Sequence, residues 1–129
     1  LNCAGDALVI GSDTLLYRLV FNLVENAIRY SRPGSTVNVS ICDNDSRVFL
    51  RVEDQGPGIP KQYRESIFQP FFRLDKSRSR AYGGAGLGLA LVWEITALHG
   101  GTVEVEASSE DGTTMLLSLP KRSAALTDQ

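Results

Sequence analysis

At 129 residues and 43% hydrophobic, the chain is the size of one domain and can bury a single core. Its 13 basic and 15 acidic residues give a net charge of −2 with no polybasic block, which argues against nucleic acid or an anionic membrane as a partner. No apolar run approaches the ~18 residues needed to cross a bilayer, and the N-terminus lacks the charged-then-apolar pattern of a signal peptide.

The sequence therefore reads as one soluble domain, residues 1–129, in a reducing, cytoplasmic setting. It begins at Leu1 and its single methionine is Met115, so it is expected to be a piece of a longer protein. Cys3 and Cys42 lack CxxC spacing and His99 has no ligand-spaced neighbours, so neither a zinc site nor a disulfide scaffold is indicated.

Residues 7–10 (Ala-Leu-Val-Ile) make a short apolar run suited to a strand, and Ser12 or Asp13 can cap a following helix. From 13 to 30 the pattern is helical: Leu15, Leu16, Leu19, Val20, Leu23, Val24, Ala27 and Ile28 recur as one buried stripe. Pro33 and Gly34 end it. Residues 36–41 alternate at period two, residues 43–46 have turn chemistry, and 48–52 return as a second strand, so a hairpin is expected. After the Gly56-Pro57-Gly58-Ile59-Pro60 break, residues 61–67 can form a short helix opened by Pro60.

Residues 73–84 are polar and basic and are expected to form a mobile loop. A second helix is expected at 87–98, with Leu87, Leu91, Ile95 and Leu98 on one face and Gly100-Gly101 as its stop. Two alternating strands at 103–107 and 114–119 follow, then a frayed tail after Pro120. Helices and hairpins in separate blocks imply an α+β, two-layer sandwich: a mixed, mostly antiparallel sheet covered on one face by about three helices, its other face partly polar.

Four features carry chemistry. Asn22, Asn26 and Arg29 lie at i, i+4 and i+7, a polar line beside the apolar stripe with Tyr30 next to it. The line reads either as a solvated flank or as a row whose amide oxygen meets Mg²⁺ while Arg29 and Tyr30 meet phosphate. Asp54, followed by Gly56 and Gly58, puts a carboxylate at a strand exit where the backbone bends tightly. It is either a plain turn or an acceptor for an exocyclic amine. Gly83, Gly84, Gly86 and Gly88 lead into the second helix, either as a hinge or as a site for an anion. Arg73, Lys76, Arg78 and Arg80 precede those glycines, as a solvated loop or as a lid over polyphosphate. His99, at the end of the second helix, reads as a cap for helix carbonyls.

In order and spacing, Asn22 to Asn26, Asp54-x-Gly56-x-Gly58, Phe68-x-Pro70-Phe71 and Gly84-x-Gly86-x-Gly88 resemble the N, G1, F and G2 boxes of the GHKL ATP-binding superfamily. The match is most similar to the catalytic and ATP-binding domain of bacterial sensor histidine kinases, and it runs from about Gly11 to Pro120. The resemblance implies ATP and Mg²⁺ as cofactors. Asn26 would be the metal ligand, with Asn22 one turn earlier supporting it. Arg29 and Tyr30 would stand near the phosphates. Asp54 would bond the adenine amine, directly and through water shared with Thr113, with Gly56 and Gly58 shaping the base pocket. Arg73 would aim at the terminal phosphates, while Gly84, Gly86, Leu87 and Gly88 would border the triphosphate.

The same resemblance implies transfer of the γ-phosphoryl to a histidine on a separate N-terminal dimerisation domain of the parent, and a response regulator as partner. The parent is expected to be anchored in the inner membrane, and the fragment to be a monomer. Related ATPases carry a glutamate four residues before the metal asparagine as general base. Asn22 stands there instead and cannot accept a proton at neutral pH, so spontaneous hydrolysis should be slow. A serine kinase of the anti-sigma type, a self-sufficient ATPase and a non-enzymatic docking module for a response regulator remain as alternatives.

Overall fold

The computed structural model describes residues 2–3, 13–72 and 88–121. Helix α1 spans Asp13–Tyr30. Its i, i+4 apolar spacing buries Leu19, Leu23 and Ala27, with Leu15, Leu16 and Val24 packed partly behind them. The apolar stripe is wider than the buried face. Val20 and Ile28 were expected in the core and are exposed, as are Tyr17 and Phe21, whose rings stack at 6.1 Å. A helix lying over a sheet buries only the sector it presents to that sheet and to the neighbouring helix, and the rest of its apolar flank stays outside.

Among the described residues five strands form one sheet, β1 (Asn2–Cys3), β2 (Asn38–Asp43), β3 (Arg47–Asp54), β4 (Thr102–Ser109) and β5 (Gly112–Pro120), in the order β1-β2-β3-β5-β4. The sheet is mixed and mostly antiparallel, as expected: only β1 runs parallel to its neighbour, pairing Asn2 with Ser40 and Cys3 with Ile41. The short β1 was not anticipated, and the strand expected at 7–10 lies outside the described residues.

Asn44 closes the β2–β3 hairpin, its side-chain oxygen accepting the N–H groups of Ser46 and Arg47 at 2.9 and 2.8 Å. Alternation along β3 and β5 sends Leu50, Val52, Met115, Leu117 and Leu119 into the core. On the opposite face Arg51 forks onto both oxygens of Glu106, at 2.7 and 2.9 Å, with the exposed free thiol of Cys42 3.6 Å from its other amino group. This outer face is the partly polar one the sequence implied.

The short helix expected at 61–67 is two 3-10 turns, Lys61–Tyr63 and Ser66–Phe68, the second burying Ile67 and Phe68. Helix α2 spans Gly88–Leu98 and packs against α1, β4 and the second 3-10 turn. Its buried residues are Ala90, Val92, Ile95 and Thr96; of the face read from the sequence, Ile95 is buried and Leu91 partly so, Leu98 is 74% exposed, and Leu87 lies outside the described residues. A helix that is apolar nearly all round gives periodicity little to choose between faces, so its neighbours decide.

Gly100, at φ +70, ends α2 in a Schellman motif. Its N–H bonds the Ala97 carbonyl and the Gly101 N–H bonds that of Thr96, at 3.0 and 2.9 Å. The His99 ring caps the Ile95 carbonyl at 2.8 Å. No described helix is long and apolar enough to cross a membrane.

Leu23 sits 2% exposed in the core cluster beneath α1. Leu23→Ala should lower stability by about 2–5 kcal/mol, read as a fall in urea midpoint with an unchanged slope.

Candidate functional site

The inner face of β3 ends in Asp54, level with Thr113 across the β3–β5 ladder. One carboxylate oxygen of Asp54 accepts two backbone N–H groups, from Gly56 at 2.9 Å and Thr113 at 3.2 Å. Its other oxygen has no partner among the described residues. Half-burial pushes the Asp54 carboxyl above its ordinary value, against the opposing pull of those two N–H groups.

Two glycines make this turn possible. A Cβ on Gly56 would run into the Tyr30 carbonyl at the end of α1, and Gly58, at φ +85, lies against the Ser109 carbonyl where a Cβ has no room. The turn is thereby pressed against the end of α1, one helical turn beyond Asn26.

Further bonds hold it there. The Gln55 N–H bonds the Ser31 hydroxyl at 3.1 Å, the Gln55 side-chain oxygen accepts from the Thr36 N–H at 3.0 Å, and Arg32 gives hydrogen bonds to the carbonyls of Gln55 and Glu110. On the other side, the Ser108 hydroxyl joins the Ile59 N–H to the Thr113 hydroxyl, both at 2.8 Å, and Arg64 donates to the carbonyls of Ile59 and Ser108. Sequence reasoning singled out none of Ser31, Arg32, Gln55, Arg64 and Ser108. Their partners are mostly main-chain atoms, which leave no mark in residue pattern.

The amide row on α1 divides by role. The Asn22 NH₂ bonds the Arg18 carbonyl at 2.9 Å. Its oxygen faces α2, where a methyl on Gly88 would meet it at 3.8 Å, an ordinary contact that does not by itself demand glycine. Asn26, half-buried, has no hydrogen-bond partner among the described residues. Arg29, expected at phosphate, pairs with Glu25 at 3.1 Å, and Tyr30 is exposed. Tyr30, Asp54, Gly56, Gly58 and Thr113 thus meet where the end of α1 adjoins the exit of β3, and Asn22 meets Gly88 about two turns back along α1, with Asn26 between them on the same helix; Arg73, Gly84, Gly86 and Leu87 lie outside the described residues.

A cavity of about 1290 Å³ runs from Asn22 and Gly88 along α2 to β4, lined by Phe68, Leu91, Trp93 and Val105 among others. It touches the amide row only at Asn22 and was not anticipated. The Phe68 and Trp93 rings meet there at 5.3 Å.

A magnesium ion held mainly by phosphates and water needs only one or two protein oxygens. No group of three or more His, Cys, Asp or Glu side chains is placed to hold a metal among the described residues. The Asn26 amide, without a side-chain partner among the described residues, suits such a shared ion.

The profile of the histidine kinase-, DNA gyrase B-, and HSP90-like ATPase family matches residues 11–123. The chain belongs to this family, among its histidine kinase catalytic domains. It is 46% identical over 112 residues to the sensor-like histidine kinase SenX3 of Mycobacterium tuberculosis, covering 87% of this chain and 27% of that protein. The structure is similar to that of the mycobacterial sensor histidine kinase MprB, with a TM-score of 0.77 at 39% identity over 88% of this chain and 75% of that one. It is also similar to full-length ShkA in complex with AMPPNP, with a TM-score of 0.78 at 28% identity, covering 92% of this chain and 24% of that chain. The chain thus spans about a quarter of the length of the curated relatives it matches.

Because the Asp54 pKa is raised, its charged form disfavours folding: this group's contribution is best below the ordinary carboxylate pKa and declines as pH rises through the raised value. Asp54→Asn keeps an oxygen for the two N–H groups and removes that decline. Thermal melts at pH 7 should place it at or above the wild type. Gly58→Ala, by contrast, should melt well below it, because φ and space both oppose a side chain there.

Proposed function

We propose that this domain binds Mg-ATP and passes the γ-phosphoryl to a histidine on a separate N-terminal dimerisation domain of the same parent protein, within two-component signalling to a response regulator. The parent would be anchored in the inner membrane with this domain in the cytoplasm. The observation that carries the reading is Asp54: one oxygen is fixed by two backbone N–H groups and the other is left open beside Thr113, an acceptor for the amine of adenine. ShkA, similar along nearly all of this chain, is known in complex with AMPPNP.

In this reading the base lies at the turn made by Gly56 and Gly58, and the phosphates extend along α1 toward Gly88 at the start of α2. Asn26 would supply the metal-binding oxygen, and Asn22 would steady it from one turn earlier. Magnesium, when bound, neutralises charge on the phosphoryl oxygens. Arg29 keeps donors beyond the one given to Glu25, and Arg73, Gly84, Gly86 and Leu87 are proposed at the terminal phosphates from the sequence motif alone.

Among the described residues, no unpaired carboxylate adjoins Asn26 in sequence to serve as a base for water. The Asn22 NH₂ is committed to a helix carbonyl, and Glu25, the carboxylate next to Asn26 in sequence, is paired with Arg29. ATP held without a base stays intact until a nucleophile arrives, which suits a kinase better than an ATPase. The His99 ring is bonded through Nδ1 to the Ile95 carbonyl, the capping role the sequence suggested.

Calorimetry with AMPPNP and Mg²⁺ tests the site. Asp54→Ala should weaken binding about tenfold or more, the worth of a hydrogen bond to a charged group, and Asn26→Ala should remove the gain that Mg²⁺ brings. Unchanged affinity in both variants would place the nucleotide elsewhere. With ATP alone, the 129-residue chain should show slow phosphate release and negligible autophosphorylation; acid-labile phosphate on His99 would refute the assignment of the acceptor to another domain.

A further inference from the structure

The Ser108 side chain sits on β4 at the junction of three segments. Its oxygen accepts the Ile59 N–H at 2.8 Å and lies 2.8 Å from the Thr113 hydroxyl oxygen. With Ile59 donating to it, Ser108 has one protein acceptor for its own proton among the described residues, Thr113 Oγ1. Arg64 fixes the geometry by binding the carbonyls of both bridged residues, Ser108 at 3.1 Å and Ile59 at 3.3 Å. Thr113 is 5% exposed and lies across the ladder from Asp54, whose bonded oxygen takes the Thr113 N–H.

A hydroxyl that receives a proton from one side must send its own to another. For Thr113 no described group takes it, so it is offered beside the open oxygen of Asp54. The pair presents an acceptor next to a donor. A 6-aminopurine carries the complement, an amine next to an unprotonated ring nitrogen, whereas a 6-oxopurine carries the reverse.

We infer that Ser108 is a positioning residue that sets the direction of the Thr113 hydroxyl and thereby helps select adenine over 6-oxopurines. The inference rests on the nucleotide reading above. Removing the Ser108 hydroxyl frees Thr113 to rotate and to accept from the N1–H of hypoxanthine. The loss therefore falls on discrimination more than on overall binding.

The test compares calorimetric affinities of the 129-residue chain for ATP and ITP with Mg²⁺. Wild type should prefer ATP. Ser108→Ala should narrow the ATP:ITP ratio about fivefold, the worth of one neutral hydrogen bond. Ser108→Thr should restore it, and Ser108→Ala should add nothing on a Thr113→Val background. If the alanine variant does not fold, Ser108→Cys keeps the shape with a weaker donor and should narrow the ratio in the same direction. Equal weakening toward both nucleotides, or a lower melting temperature with an unchanged ratio, would make Ser108 structural only and overturn the inference. Wild type binding neither nucleotide would instead overturn the nucleotide reading itself, and this inference with it.

Discussion

One carboxylate oxygen holding two backbone N–H groups is the constraint on which the rest of the site depends. Asp54 ends the central strand β3, and by binding Gly56 and Thr113 at the same oxygen it bends its own chain and ties that bend to β5. The bend can close only because Gly56 and Gly58 have no side chain to collide with α1 and β4. Satisfying one oxygen from within leaves the other without a partner among the described residues. A charge half-removed from water is thereby kept for use.

Folding and chemistry draw on different sectors of the same helix. The Leu19, Leu23 and Ala27 face of α1 carries the packing, while Asn22 and Asn26 form a flank that contributes little to the core. A cavity-forming change on the first face should act on stability, and a change on the second on ligand contacts. The loop after α1, bonded through Ser31, Arg32 and Gln55, couples the two by setting how far the Asp54 turn stands from the helix end.

Much of the architecture was legible in residue pattern. Strict alternation gave the β2–β3 and β4–β5 hairpins, the breakers at Pro33 and Gly100 marked the helix ends, and the bend after Asp54 was plain from its glycines. Pattern failed where tertiary context chose between equal options. Nothing in α2 itself distinguishes Val92 from Leu98, and the exposure of Val20 and Ile28 depends on what lies over α1. The parallel pairing of Asn2 and Cys3 with β2 is too short for any periodicity to show. Within the site the charged and amide side chains could be picked out, but the Ser108, Arg64 and Arg32 bonds could not. They join residues far apart in sequence to main-chain atoms that only the fold brings near.

The strand order has a colloidal consequence. It places β4 at an outer margin of the sheet, where unpaired main-chain groups invite another molecule's strand to zip on. The pairing register slips between Val105 and Ala107, and the exposed carboxylate of Glu104 stands beside the irregularity. An approaching strand would meet a kinked ladder and negative charge together, which discourages stacking of copies at high concentration.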